Sequence, residues 1–279
     1  MAAEKPVDSR TPMNLVITGS SSGIGKFLAD SLAAKGHAVC RLARSPQDGF
    51  SFQCNVSDWT AVRKCAEAVT KRWETLDGLI CCAGIQEPIG PAMEIDPLAW
   101  RKNLAVNLDG TFFAIRTFYP LLKKTSRRAK VICFSGGGST SPRPRFTAYG
   151  VAKTGVVRLV ETLAAEWQGQ PLDINAVAPG AIFTRMTEEV LARGAGLAGQ
   201  QEFESASKLS HDNSGRLEKV LSLVEFLLSE KSDGISGKLI SAQWDPWEKL
   251  PGFKADLQSD IYTLRRIVPK DRGKTWGDK

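Results

Sequence analysis

Histidine is nearly missing from this chain: two residues, His37 and His211, in 279. With so few imidazoles, and no Cys or His spacing that suits zinc, no metal site is expected. The six cysteines are scattered and do not form a disulfide framework. Cys40, Cys54, Cys81, Cys82 and Cys133 lie in short apolar runs that read as strands, and Cys65 lies on a helical stretch. They read as small core residues of a reducing compartment. No run of about 18 apolar residues occurs, which excludes a membrane-spanning helix. The polar first stretch has no apolar core of a leader, so a cytoplasmic location is expected. Internal repeats and a basic face interleaved with aromatics are also missing. The formal charge of +7 comes from scattered lysines and arginines, so nucleic acid is not an expected partner, whereas an anionic cofactor needs less charge.

What is present is an alternation of short apolar runs with helical patterns. Asn14 to Thr18, Ala38 to Ala43, Phe52 to Val56, Leu79 to Gly84, Val131 to Ser135, Leu172 to Val177 and Gly237 to Ala242 read as seven buried strands. Helical patterns fall at 26–35, 58–72, 96–122, 149–167 and 217–228, and the Gly-, Ala- and Glu-rich stretch 185–214 reads as a lid over a site. The fold class expected is α/β: a single doubly wound parallel sheet of the Rossmann type with helices on both faces. The expected organisation is a polar arm over 1–13, one nucleotide-binding domain over 14–243, and a tail over 244–279 that packs on the domain or on an oligomer interface.

The first run leads straight into Gly19-Ser20-Ser21-Ser22-Gly23-Ile24-Gly25 and then a helix. Strand, glycine-rich turn and helix make a phosphate cradle, because backbone N–H groups approach the anion closely only where no Cβ intervenes. Arg44 closes the second run. A dinucleotide fold reads its ribose at about this distance past the glycine turn, with an acid for a 2′-hydroxyl and an arginine for a 2′-phosphate. NADP(H) is therefore the preferred cofactor and NAD(H) the alternative.

Tyr149 and Lys153 stand one helical turn apart, on one face of a helix. With Thr18-Gly19-x-x-x-Gly23-x-Gly25 and Pro179-Gly180-x-Ile182-x-Thr184, they make the chain resemble the short-chain dehydrogenase/reductase family in its compact branch. The resemblance spans roughly 14–242. It implies a cofactor cleft lined by Gly19, Ser21, Ser22, Gly23, Ile24, Gly25, Arg44, Asn55, Val56, Ala83, Gly84, Tyr149, Lys153, Pro179, Gly180, Ile182 and Thr184. It implies hydride transfer between a nicotinamide and a carbonyl or secondary alcohol, with a homodimer or homotetramer as the assembly. Tyr149 would be the general acid/base. Lys153 would lower its pKa and hold the ribose, and Asn107 would anchor a proton relay.

Four features depart from the family pattern. Cys81-Cys82-Ala83-Gly84 stands for two asparagines followed by Ala-Gly, Asn55 stands for an aspartate, and a long tail follows the last strand. The position of the family's serine, counted back from Tyr149, falls on Gly136. Ser135 is the preferred substitute, with Ser139 or no serine as alternatives. Arg143, Arg145, Arg185 and Arg265 or Arg266 raise the expectation of an anionic or sugar-like substrate. Two other readings compete with the reductase: a cofactor-binding sensor or scaffold without turnover, and a redox-neutral epimerase or dehydratase.

Overall fold

The computed structural model describes residues 12–45 and 48–276; most of the expected N-terminal arm lies outside them. Seven strands form one parallel sheet in the order β3-β2-β1-β4-β5-β6-β7. In chain order they are β1 (Asn14–Thr18), β2 (Ala38–Ala43), β3 (Ser51–Gln53), β4 (Gly78–Cys81), β5 (Ala129–Phe134), β6 (Leu172–Ala178) and β7 (Leu239–Ser241). The strands are almost wholly apolar because helices cover both faces. One face packs Val16, Leu79, Val131 and Ile174 against α2 (Trp59–Thr70), α4 (Gly110–Leu122) and α5 (Thr147–Glu166). The other packs Leu15, Ile17, Ile80 and Ile132 against α1 (Gly23–Ala34) and α8 (Ser214–Leu228).

The winding reverses between β1 and β4, which are neighbours in the sheet with Thr18 opposite Cys81. Ligands of open parallel sheets bind beyond the carboxyl ends of the strands at such a switch point. The second crossover is trimmed: no helix lies between β2 and β3 among the described residues, as the short connection predicts.

Several boundaries differ from the sequence reading. The third strand covers 51–53, not 52–56; one further bond, Cys54 N–H to Ala43 O at 2.7 Å, ends the pairing. Asn55 then bends away, its Oδ1 taking Ser57 N–H and Oγ–H. The fourth strand stops at Cys81 instead of Gly84, because Thr18 Oγ1 takes the Cys82 and Ala83 N–H groups at 3.1 and 3.2 Å. The last strand is also shorter than 237–242. The long helix expected over 96–122 is divided into α3 (Pro97–Leu104) and α4 by a π-helical turn, Ala105–Asp109, that carries Asn107. Single π turns recur at functional sites.

Beyond β7 the tail folds back onto the domain in short 3-10 turns. Trp247, Leu250 and Leu257 are buried in the α1/α8 core, with Trp247 5.6 Å from Phe226. The free edge of the sheet is covered as well: Leu239 N–H donates to Tyr262 O at 2.9 Å, and Arg158 Nη2 to Leu264 O at 2.6 Å. Covering an edge strand in this way removes a template for pairing with other chains.

Candidate active site

A cavity of about 710 Å³ opens over the carboxyl ends of β1, β4, β5 and β6. Its walls include every residue the resemblance assigned to the cofactor, together with Tyr149, Lys153 and Ser135. Asn107 lies behind the wall, fully buried.

The glycine turn is built for close approach. Gly19 has φ +71°, and a Cβ there would lie 2.6 Å from the backbone of Ala83. A Cβ on Gly25 would lie 2.3 Å from Gly19 O. The turn therefore lies flat against the β4 end, and only glycine permits it. Ser22 caps α1 without a side-chain hydrogen bond, and the first turn of α1 holds no acid. Its N–H groups are left for an anion, favoured there by the helix dipole. A dinucleotide pyrophosphate fits this cradle. Thr184, the N-cap of α6 (Arg185–Ala198), stands against Gly23 and closes it from the lid side. Arg44 is exposed on the rim.

Around the catalytic pair the chain is tightly buried. Lys153 donates to Phe134 O at 2.8 Å, and burial pushes its ammonium down to about 8. Burial raises the Tyr149 phenol above its ordinary value; the Arg143 guanidinium opposes that rise and the Cys82 thiol adds to it. Asn107 is fixed by Asn103 and by both polar groups of Ile85: its Nδ2 donates to Ile85 O at 2.8 Å, and its Oδ1 accepts from Ile85 N–H at 3.3 Å. A Cβ on Gly84 would lie 2.7 Å from Asn107 Oδ1 and 3.6 Å from Lys153 Nζ. Gly84 is thus the gap through which Asn107, Lys153 and Met186 of α6 come together.

The serine question has a geometric answer for Ser135. Its hydroxyl is buried and donates to Lys153 O at 3.4 Å, against the helix backbone. The residue facing the phenol is Gly136, on which a Cβ would lie 2.5 Å from Tyr149 Oη. Ser135 therefore does not take the place expected of it: its hydroxyl is turned to the Lys153 carbonyl, and the next residue, Gly136, faces Tyr149. Ser139 lines the same cavity and closes a turn on Gly136 O. No protein group among the described residues hydrogen-bonds Tyr149 Oη.

Three of the arginines expected to await an anionic substrate, Arg143, Arg185 and Arg265, are already paired with carboxylates. Arg143 grips Glu202 of α7 (Gln200–Ser207) through Nε and Nη2 at 2.8 and 2.7 Å, and reaches Gln86 at 3.2 Å. Arg185 pairs with Glu189, and Arg265 with Asp260 and Asp271 in the tail. Sequence reasoning missed Glu202, Gln86, Met186 and Thr18 Oγ1. Only Thr18 carried a signal, as the polar residue closing an apolar strand. Glu202 is distant from Arg143 along the chain, in a helix otherwise read as generic lid. Among the described residues no cluster of three or more His, Cys, Asp or Glu suits a metal ion. No helix among them is long and apolar enough to cross a membrane.

This fold and this cleft agree with comparisons to known proteins. A family profile described as enoyl-(acyl carrier protein) reductase matches residues 19–243. The chain belongs to the short-chain dehydrogenase/reductase family, and it is an oxidoreductase of that family. It is similar to the short chain dehydrogenase mpl6 of Monascus purpureus, 28% identical, covering 90% of this chain and 88% of the relative. It is similar also to a galactitol 2-dehydrogenase (L-tagatose-forming) of Cereibacter sphaeroides, 33% identical over 67% of this chain and 80% of the relative. Among solved structures, a short chain dehydrogenase from Shigella flexneri complexed with NADP superposes with TM-score 0.70. The two are 22% identical, over 83% of this chain and 97% of that one.

Proposed function

We propose that this chain is an NADP(H)-dependent oxidoreductase that interconverts a carbonyl and a secondary alcohol. The observation carrying this reading is that the glycine cradle and the Tyr149–Lys153 pair line one continuous cavity. Gly19, Ser21, Ser22, Gly23, Ile24 and Gly25 would hold the pyrophosphate, Arg44 the 2′-phosphate, and Asn55 and Val56 the adenine end. Ala83, Gly84, Pro179, Gly180, Ile182 and Thr184 would surround the nicotinamide half. When bound, the cofactor supplies or accepts the hydride.

The remaining work belongs to the protein. Tyr149, raised by burial, keeps its proton at neutral pH and so suits donation to a carbonyl oxygen as negative charge develops there. Lys153 Nζ, fixed by Phe134 O, has two further protons for a ribose hydroxyl. The Asn107 clasp on Ile85 holds the backbone past β4 in place, which supports the role expected of it. Trp244 and Asp245 from the tail and Glu202, Ser205 and Leu209 from the lid line the outer cavity, where the substrate would lie. Exposed Phe112 on α4 and Val151 on α5 support self-association through that helix pair.

The test is absorbance of the reduced cofactor with a panel of ketones, sugars and polyols, run with NADPH and NADH. Turnover with NADPH, weakened about tenfold or more in cofactor affinity by Arg44→Ala and little changed with NADH, is expected. A second reading, a cofactor-binding protein without turnover, draws on the glycine at 136; it would show tight NADPH binding and no oxidation across the panel.

A further inference from the structure

In place of a serine the chain carries three glycines, and the structure gives each of them a neighbour. Gly136 faces the phenol: its Cβ would lie 2.5 Å from Tyr149 Oη and 3.3 Å from Cζ. Gly137 and Gly138 face an arginine. A Cβ on Gly137 would meet Arg143 Cδ at 3.7 Å and Nε at 3.8 Å, and one on Gly138 would meet Arg143 Cβ at 3.2 Å. The glycine run is thus the floor on which the Arg143 side chain folds back toward Tyr149. Its guanidinium lies 3.8 Å from the Phe146 ring centroid and 5.7 Å from that of Tyr149. Stacked on Phe146 and forked onto Glu202, with Gln86 as a third partner, it is held from three segments of the chain. An arginine set in a planar fork keeps its charge and its place.

We propose that Arg143 is a positioning residue for the proton step, supplying beside Tyr149 the positive charge that stabilises its phenolate, with Glu202 of the lid setting how much of that charge the phenol feels. The inference rests on the reading of Tyr149 as the proton donor. In reduction the phenol O–H bond breaks, its proton passes to the carbonyl oxygen, and the electron pair stays on Tyr149 Oη. The developing anion needs a cation nearby in a site from which water is largely excluded. Lys153 is poorly suited to be the sole source, since burial makes it ready to lose its own proton. The charged or titratable groups facing Tyr149 are Arg143 from the β5–α5 loop, Lys153 from α5 itself and the Cys82 thiol beyond β4. Glu202 on α7 meets the phenol only through Arg143. When α7 lies against the loop, as here, Glu202 offsets part of the guanidinium charge; the lid and the acidity of Tyr149 are thereby linked.

The chain has three tyrosines, Tyr119, Tyr149 and Tyr262, so carbon-13 NMR of tyrosine labelled at Cζ can follow each phenol separately. The full chain would be titrated with and without saturating NADP+, the Tyr149 signal being the one lost in Tyr149→Phe. Arg143→Met, which keeps the apolar stem on Phe146, is expected to raise the Tyr149 midpoint by about one pH unit. Arg143→Lys, which keeps the charge, should restore most of the difference. Glu202→Gln should lower the midpoint, and it reads the same linkage should Arg143→Met fail to fold. An unchanged midpoint in Arg143→Met, an equal rise in Arg143→Met and Arg143→Lys, or no fall in Glu202→Gln would overturn the proposal. Because the titration reads the phenol itself, it can fail while NADPH turnover stands. The shift can equally be found in a chain that turns nothing over.

Discussion

Replacing Lys153 with methionine should make the cofactor-free chain more stable at neutral pH, and by an amount that fades as pH rises. Lys153 is only 4% exposed, and its pKa falls from 10.5 to about 8 on folding, chiefly through desolvation. The folded state therefore binds fewer protons than the unfolded state between those values, and wild-type stability climbs with pH across that window. Below about pH 8 both states are protonated and the full burial penalty is present, on the order of 3 kcal/mol for a shift of this size. Methionine carries no charge and feels no such penalty. It also leaves Phe134 O without its donor, which costs about 1 kcal/mol at every pH. Urea unfolding of both proteins at pH 7 and pH 10 isolates the titrating part as a double difference. The advantage of Lys153→Met should shrink by on the order of 2 kcal/mol between the two. An advantage that stays constant or grows toward alkaline pH would refute the assignment of Lys153 as a destabilised buried cation. The gain should come with loss of turnover, as expected where a site holds a group against its preferred solvation.

Two further perturbations test the glycine floor and the tail. Gly136→Ala places a methyl group 2.5 Å from Tyr149 Oη, so the ring must shift; kcat should fall on the order of a hundredfold while NADPH affinity, measured by fluorescence titration, is unchanged. Trp247→Ala removes a buried ring from the core beside Phe226 and should cost about 3 kcal/mol in urea unfolding, a loss that a tail resting loosely on the surface would not show.

The strands, the glycine turn and the Tyr149–Lys153 helix were legible because each rests on local pattern. A wholly apolar run bounded by turn residues reads as a strand whatever lies beside it. The ends of those strands were not legible, since they are set by partners distant in sequence. Thr18 Oγ1 takes the N–H groups of Cys82 and Ala83, which arrive from the far side of three crossovers, and so halts β4. The same holds in the site. Counting back from Tyr149 lands on Gly136, and the structure puts that glycine against the phenol; preferring Ser135 required a longer loop than the chain has. The arginines looked like a reception for an anion because charge is visible in sequence and pairing between distant segments is not. Once Arg143 is seen gripping Glu202, that arginine becomes an internal latch. The tail, expected to pack on the domain or on an oligomer interface, closes the β7 edge through a backbone bond from Leu239 to Tyr262, which no side-chain pattern announces.

The central claim is that Tyr149 carries the proton in a hydride-transfer reaction with NADPH. Tyr149→Phe tests it most directly, with oxidation of NADPH by whichever carbonyl compound the wild-type chain reduces, and cofactor binding followed on the same sample. Binding should survive while turnover falls by at least about a hundredfold. Full turnover in the phenylalanine variant would contradict that role.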